Sequence, residues 1–179
     1  MMIVDLAAQP LLQERAAELL VDGFDEPRGW PTIESGRDEV RYVLAHGFAR
    51  AMLESDRLLG WIGGLPEYNG RVWELHPLVV RRDQRRRGIG RRLVEAFEAE
   101  ARLRGAFTVT LGTDDDSGMT SLSGAELYDN IQRHIAELRD LGRGHPFLFY
   151  RKLGYVVTGV LPDANGPGRP DIYMSKRVR

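Results

Sequence analysis

Apolar residues along this chain switch repeatedly between helical spacing and strand-like alternation, and the switches predict its elements. Met2–Leu6 reads as a short strand. Pro10 suits a first helical turn, and Leu11, Leu12, Ala16, Leu19 and Leu20 follow as an apolar stripe. Asp22–Ser35 is rich in glycine, proline and acids and reads as a loop that includes Trp30. Ser35-Gly-Arg-Asp38 has the form of a capping box, and Val40, Val43 and Leu44 carry a second helix to about Gly47. Ala49–Leu53 and Leu58–Leu65 read as antiparallel strands around a turn at Glu54-Ser55-Asp56, with a further turn at Pro66–Gly70.

Arg71–Val80 is the next strand. A helix follows from about Ile89 to Arg104, with Ile89, Leu93, Phe97 and Ala101 on one face and Gly105 as its C-cap. Phe107, Val109 and Leu111 alternate as in a strand, and Gly112–Leu122 is a polar loop. Ser123-Gly-Ala-Glu126 matches a second capping box, before a stripe of Leu127, Ile131, Ile135 and Leu138. Gly144-His-Pro146 opens a short aromatic helix that Gly154 ends. Tyr155–Leu161 and Asp171–Lys176 are strands around a Gly/Pro/Asn loop at Pro162–Pro170. The order β-α-α-β-β-β-α-β-α-α-β-β predicts an α/β (α+β) protein, a mixed sheet with helices on its faces. No repeat or linker divides the 179 residues, so a single domain, 1–179, is expected.

Composition narrows the chemistry. A hydrophobic fraction of 42% and a charged fraction of 28% are ordinary for a soluble globular protein. The absence of cysteine excludes a disulfide scaffold, a Cys-based zinc site and a thiol nucleophile. No apolar run is long enough for a membrane span, and the N-terminus has no basic region before its apolar residues. Neither a membrane nor a metal is therefore expected as a partner, and a cytoplasmic location is. The net charge of −1 gives no global basic character, and no aromatics interleave the basic run, so nucleic acid is not expected either.

The local charge is uneven. Trp73–Arg92, WELHPLVVRRDQRRRGIGRR, runs from a buried strand into a helix, with seven arginines around the corner. Arg85, Arg86, Arg87, Gly88, Ile89, Gly90 and Arg91 fall where backbone N–H groups at a helix N-terminus can cradle a phosphate. The spacing is neither a P-loop nor a Rossmann fingerprint. A solvated basic turn is the alternative reading. Before this corner, Glu74 and His76 lie two apart and project from one strand face. Either a carboxylate or a neutral imidazole there can take a proton from an amine. Pro77 lacks an N–H and marks a local bulge or an edge strand. Tyr150 lies in an aromatic stripe with Phe147 and Phe149; its phenol stays protonated at neutral pH and is a candidate proton donor, unless the stripe is packing alone. Asp114 and Asp115 follow a strand and are candidates to attract a cationic substrate, with Asp25, Glu26, Asp38 and Glu39 as weaker choices.

Arg85-Arg-Arg-Gly88-Ile-Gly90, after a strand and before a helix, resembles the coenzyme A pyrophosphate loop of the GNAT acetyltransferases. WELHPLVV at 73–80, LGTDD at 111–115, HPFLFYRKLGY at 145–155 and GVLPDANGPGRPDIYMSK at 159–176 resemble the aminoglycoside 6′-N-acetyltransferases of the chromosomal enterococcal type. The likeness covers Leu58 to Lys176 and is weaker before it. It implies the GNAT acyltransferase fold, with a mixed, mostly antiparallel central sheet. It also implies acetyl-CoA as cosubstrate, a small cationic amine as acceptor, and a homodimer. For individual residues it implies active-site roles for Glu74 and His76, the Leu78 N–H as oxyanion donor, and Tyr150 as the acid for the leaving thiol. Leu78, Val79, Val80, the 85–91 corner and Tyr150 would then meet the cofactor. Transfer to the 6′-amine of an aminoglycoside is the expected activity. The same chemistry on a polyamine, a protein N-terminus or a lysine is one alternative, and a CoA-binding module without turnover is another.

Overall fold

The computed structural model describes residues 1–24 and 29–179. They form two compact units, Met1–Val109 with Val178–Arg179, and Thr110–Arg177. The first unit contains β1 (Met2–Asp5), α1 (Pro10–Gly23), α2 (Ile33–His46), β2 (Phe48–Glu54), β3 (Arg57–Glu67), β4 (Val72–Val80) and α3 (Ile89–Leu103). Strands β1 to β4 are antiparallel neighbours in chain order. The second unit takes β5 (Thr108–Asp114) from Thr110 onward, with α4 (Ile131–Ala136), α5 (Phe147–Lys152), β6 (Val156–Leu161) and β7 (Asp171–Arg177). There β7 lies between β5 and β6 and pairs antiparallel with β6. Helices and strands follow the order read from the sequence. Among the described residues, no helix is long and apolar enough to cross a membrane.

In the first unit, helices lie against both faces of the sheet. Leu12, Ala16, Leu20, Val40 and Val43 of α1 and α2 join Ala49, Ala51, Trp61 and Val79 in one buried cluster. The Trp61 indole donates to the Ala16 carbonyl at 3.1 Å, which removes the cost of burying its N–H. Glycines on β3 let both layers approach closely. A Cβ on Gly63 would sit 2.7 Å from Val43 of α2, whereas one on Gly64 would run into the Phe97 ring of α3. The buried face of α3, Ile89, Leu93, Phe97 and Ala101, is the stripe expected from its spacing.

Three local expectations are corrected. Leu11 is 88% exposed; α1 buries Ala17 instead, one position further round the helix. The first capping box starts earlier: Thr32 is the N-cap, its hydroxyl accepts the Ser35 N–H at 3.1 Å, and Ser35 accepts the Thr32 N–H at 3.2 Å. The second box is not a helix start. The Ser123 hydroxyl donates to the Gly168 carbonyl at 3.3 Å, and the Asn130 side chain caps α4 instead, accepting the Arg133 N–H at 3.0 Å.

An ion cluster ties α3 to β2. Glu100 accepts from Arg50 at 2.7 Å and from Arg104 at 2.7 Å, and Arg104 lies 4.9 Å over the Phe48 ring. Glu100 is only 18% exposed, so solvent screens the cluster incompletely. Glu100→Ala takes the shared carboxylate from Arg104 and from Arg50, which keeps Asp5 at 3.3 Å. It is expected to destabilise the fold by about 1–2 kcal/mol, between the values for exposed and buried pairs. Urea unfolding measures it; an unchanged midpoint would show that the cluster contributes nothing.

Candidate active site

Along β4 the residues alternate between buried and half-buried, and Glu74 and His76 share one partly open face while Trp73 and Leu75 point into packing. The ladder to β3 pairs Ile62 with Leu78 but Gly64 with Leu75. His76 and Pro77 together therefore oppose Gly63, which is a bulge at the proline. The bulge re-aims His76 beside α2. Its Nε2 lies 3.2 Å from Oε1 of Glu39, whose other oxygen accepts the Trp30 indole N–H at 3.2 Å. The Trp30 and His76 rings lie 5.9 Å apart, and Phe24 packs edge-on against Trp30.

These contacts set three proton affinities. Burial alone would lower the His76 pKa. The hydrogen bond and charge of Glu39, with the charge of Glu74, more than offset that and hold it above the ordinary imidazole value. For Glu39, burial would raise the pKa, but His76 and Trp30 hold it below the ordinary carboxylate value. Glu74 is raised by burial, against the attraction of His76 and with added repulsion from Glu67 and Glu39. The result is a basic imidazole beside partly buried carboxylates, a suitable setting for receiving a cation and removing its proton.

At the far end of β4 the chain turns through a 3-10 segment at Arg82–Gln84 into α3. Gly88 is the N-cap, at φ +79°, with no capping side chain and nothing within 4 Å of where a Cβ would stand. The first-turn N–H groups of Ile89, Gly90 and Arg91 have no partner one turn earlier in the helix, and no acid occupies that turn. Anion binding suits such a terminus, and Arg86 and Arg91 are exposed beside it. The arginines are not equivalent. Arg85 donates to the carbonyls of Val80 at 3.2 Å and Gly23 at 2.9 Å, and Arg82 to Asp22 at 2.8 Å. Arg87 donates to Gln84. The Arg82 and Arg85 side chains thus brace the corner against the end of α1.

In the second unit the two candidate aspartates separate. Asp114 is exposed, and its carboxylate accepts from Asn165 at 2.6 Å. Asp115 is fully buried and accepts from the N–H groups of Met119 at 2.7 Å and Thr120 at 2.8 Å and from the Thr120 hydroxyl at 2.7 Å. That saturation makes Asp115 a loop anchor and removes it as a group for holding substrate. His145 Nε2 faces the Asp114 carbonyl at 3.0 Å, and its Nδ1 accepts the Phe147 N–H at 3.2 Å, which fixes the start of α5. Tyr150 on that helix is 8% exposed and lies between Phe149 and Tyr155. Burial pushes its phenol above the ordinary value, so it stays protonated at neutral pH.

Glu39 ranked low in the sequence, yet it is the carboxylate that meets His76. Its neighbour Asp38 is exposed and pairs with Arg41. Asp25 and Glu26 lie outside the described residues. Trp30 was only a loop aromatic in the sequence, and no local pattern marks it as a partner of β4.

A bulged strand bearing an acid–imidazole pair, followed by an uncapped, arginine-flanked helix, defines a group-transfer enzyme that handles an anionic carrier. The chain belongs to the acetyltransferase (GNAT) family, which matches residues 13–122. Solved structures similar to the whole chain sharpen this. One is an aminoglycoside 6′-N-acetyltransferase complexed with coenzyme A, at 40% identity over 100% of this chain and 98% of that one, with a TM-score of 0.92. Another is the aminoglycoside 6′-N-acetyltransferase from Enterococcus faecium, at 39% identity, the same coverage and a TM-score of 0.91. A third is aminoglycoside 6′-acetyltransferase type Ii, at 36% identity over 100% and 98%, with a TM-score of 0.76. Among curated proteins, none matches the chain. The GNAT fold expected from the sequence is the fold of the protein.

Proposed function

We propose that this acetyltransferase moves the acetyl group of acetyl-CoA to the 6′-amino group of an aminoglycoside. The observation that carries the reading is the full-length likeness, at 40% identity, to an aminoglycoside 6′-N-acetyltransferase that holds coenzyme A. The same coverage supports treating residues 1–179 as one acetyltransferase domain. The geometry agrees in kind. The uncapped first turn of α3 and the exposed Arg86 and Arg91 suit a pyrophosphate. The charges of Glu39 and Glu74 near His76, with that of Glu67 acting on Glu74, suit a polycationic amine.

In this reading Glu74 and His76 receive the ammonium proton, directly or through water. The freed amine attacks the thioester carbonyl, forming the C–N bond, and the C–S bond breaks. The Leu78 N–H, beyond the bulge, donates to the oxyanion, and the Tyr150 hydroxyl supplies the proton to the departing sulfur. Leu78, Val79, Val80 and the 85–91 corner hold the cofactor, and Asp114 helps to hold the acceptor. A homodimer and a cytoplasmic location belong to the same proposal.

Thiol release with acetyl-CoA is the test, with kanamycin A, spermidine or no acceptor. Release with kanamycin A alone, and a product acetylated at the 6′ position by NMR, is expected. Release with spermidine alone would move the substrate to another amine and overturn the aminoglycoside reading.

A further inference from the structure

We infer that Glu39 and Trp30 position His76 for the reaction, holding its neutral imidazole as the Nε2–H tautomer so that Nδ1 is the atom that takes the acceptor's proton. The inference rests on the reading above for its chemistry, but its geometry is independent of the acceptor's identity.

The His76 ring is held from three directions. The bulge at His76–Pro77 places it on the face of β4 that α2 covers. Glu39, from the middle of α2, meets Nε2 at 3.2 Å. Trp30, just before α2, lies against the ring and ties the second Glu39 oxygen at 3.2 Å. An ionised carboxylate only accepts hydrogen bonds, so the imidazole nitrogen facing it must carry the hydrogen. The lone pair of the neutral ring is then on Nδ1. Glu39 is 17% exposed, and its Oε1 is shielded from water with no other hydrogen-bond partner among the described residues, so Nε2 is the polar atom that approaches it. This is the arrangement in which a carboxylate orients a catalytic imidazole and stabilises the imidazolium it becomes.

The charged groups facing His76 are Glu39 on α2 and Glu74 on its own strand; Glu67, at the end of β3, acts through Glu74. Both direct neighbours are acids, so protonated His76 is favoured in the free enzyme. A bound ammonium next to Glu74 opposes that charge and helps to release the Nδ1 proton before the ring acts as base. Glu39 is thus a positioning residue: it touches neither substrate in this arrangement and acts through His76.

Two measurements test this on the whole protein. Long-range 1H–15N NMR of the acceptor-free protein, above the His76 pKa, is expected to show a protonated Nε2 and an unprotonated Nδ1. Glu39→Gln keeps the volume and an accepting oxygen but removes the charge. It is expected to move the His76 titration, and the acid limb of the kcat/KM profile, to lower pH by about one unit. Glu39→Ala should lower kcat further by freeing the ring. A protonated Nδ1 overturns the inference, as does a His76 titration unmoved by Glu39→Gln. Loss of thermal stability in both variants with wild-type titration would mean that Glu39 only packs α2. The NMR readouts need no turnover, so failure of the aminoglycoside assay leaves them decisive.

Discussion

Tyr150→Phe is expected to lower kcat about 100-fold or more with little change in the KM for acetyl-CoA, the loss associated with a missing general acid. The substitution removes one oxygen and keeps the ring. Tyr150 packs edge-on against Phe149 at 5.0 Å and against Tyr155 at 5.6 Å, and both contacts are made by carbon, so the fold should hold. What is lost is a donor. Burial holds the phenol protonated across the neutral range, so in the wild-type protein the hydroxyl is always able to donate. Negative charge appears on sulfur only as the C–S bond breaks. A hydrogen bond to it therefore lowers the transition state more than the ground state, and its removal falls on kcat and kcat/KM together. Steady-state kinetics on a variant with a wild-type melting temperature decides the point. An unchanged kcat would take Tyr150 out of the chemistry and leave it as one member of the α5 aromatic stripe.

The fold was legible where burial is periodic. The α3 stripe Ile89, Leu93, Phe97 and Ala101 is the buried face observed, and Gly88 falls at the helix start as its place after the arginines suggested. The strand period likewise put Glu74 and His76 on one face. Helix starts were less legible, because Ser-x-x-acid patterns are common and the true cap depends on what the hydroxyl meets. Ser35 serves as the third residue of the box, and Ser123 is taken by Gly168. Side-chain partners across elements were not legible at all. Glu39 meets His76 because α2 packs where Gly63 leaves room and the bulge turns the histidine towards it. Arg85 was grouped with phosphate-binding arginines by position, and only folding shows its guanidinium held by the carbonyls of Val80 and Gly23.

Asp115→Ala is expected to destabilise the protein by about 3 kcal/mol, and not to change acceptor affinity in the molecules that remain folded. Asp115 and Thr120 are both fully buried, and Asp115 alone accepts the N–H groups of Met119 and Thr120 and the Thr120 hydroxyl. Removing the carboxylate strands these donors away from water, where each unpaired group costs about 1–3 kcal/mol, partly relieved if water enters the space left behind. Asp115→Asn is a sharper probe, because it keeps the volume but turns an NH2 group towards donors. Asp114→Asn is the contrasting variant. That carboxylate is exposed and meets Asn165, so its loss should leave the unfolding midpoint nearly unchanged and raise the acceptor KM. Urea unfolding of the three variants beside acceptor kinetics separates the roles. A stable Asp115→Ala protein with a raised acceptor KM would return Asp115 to the substrate site, and the loop from Asp115 to Thr120 would then need another anchor.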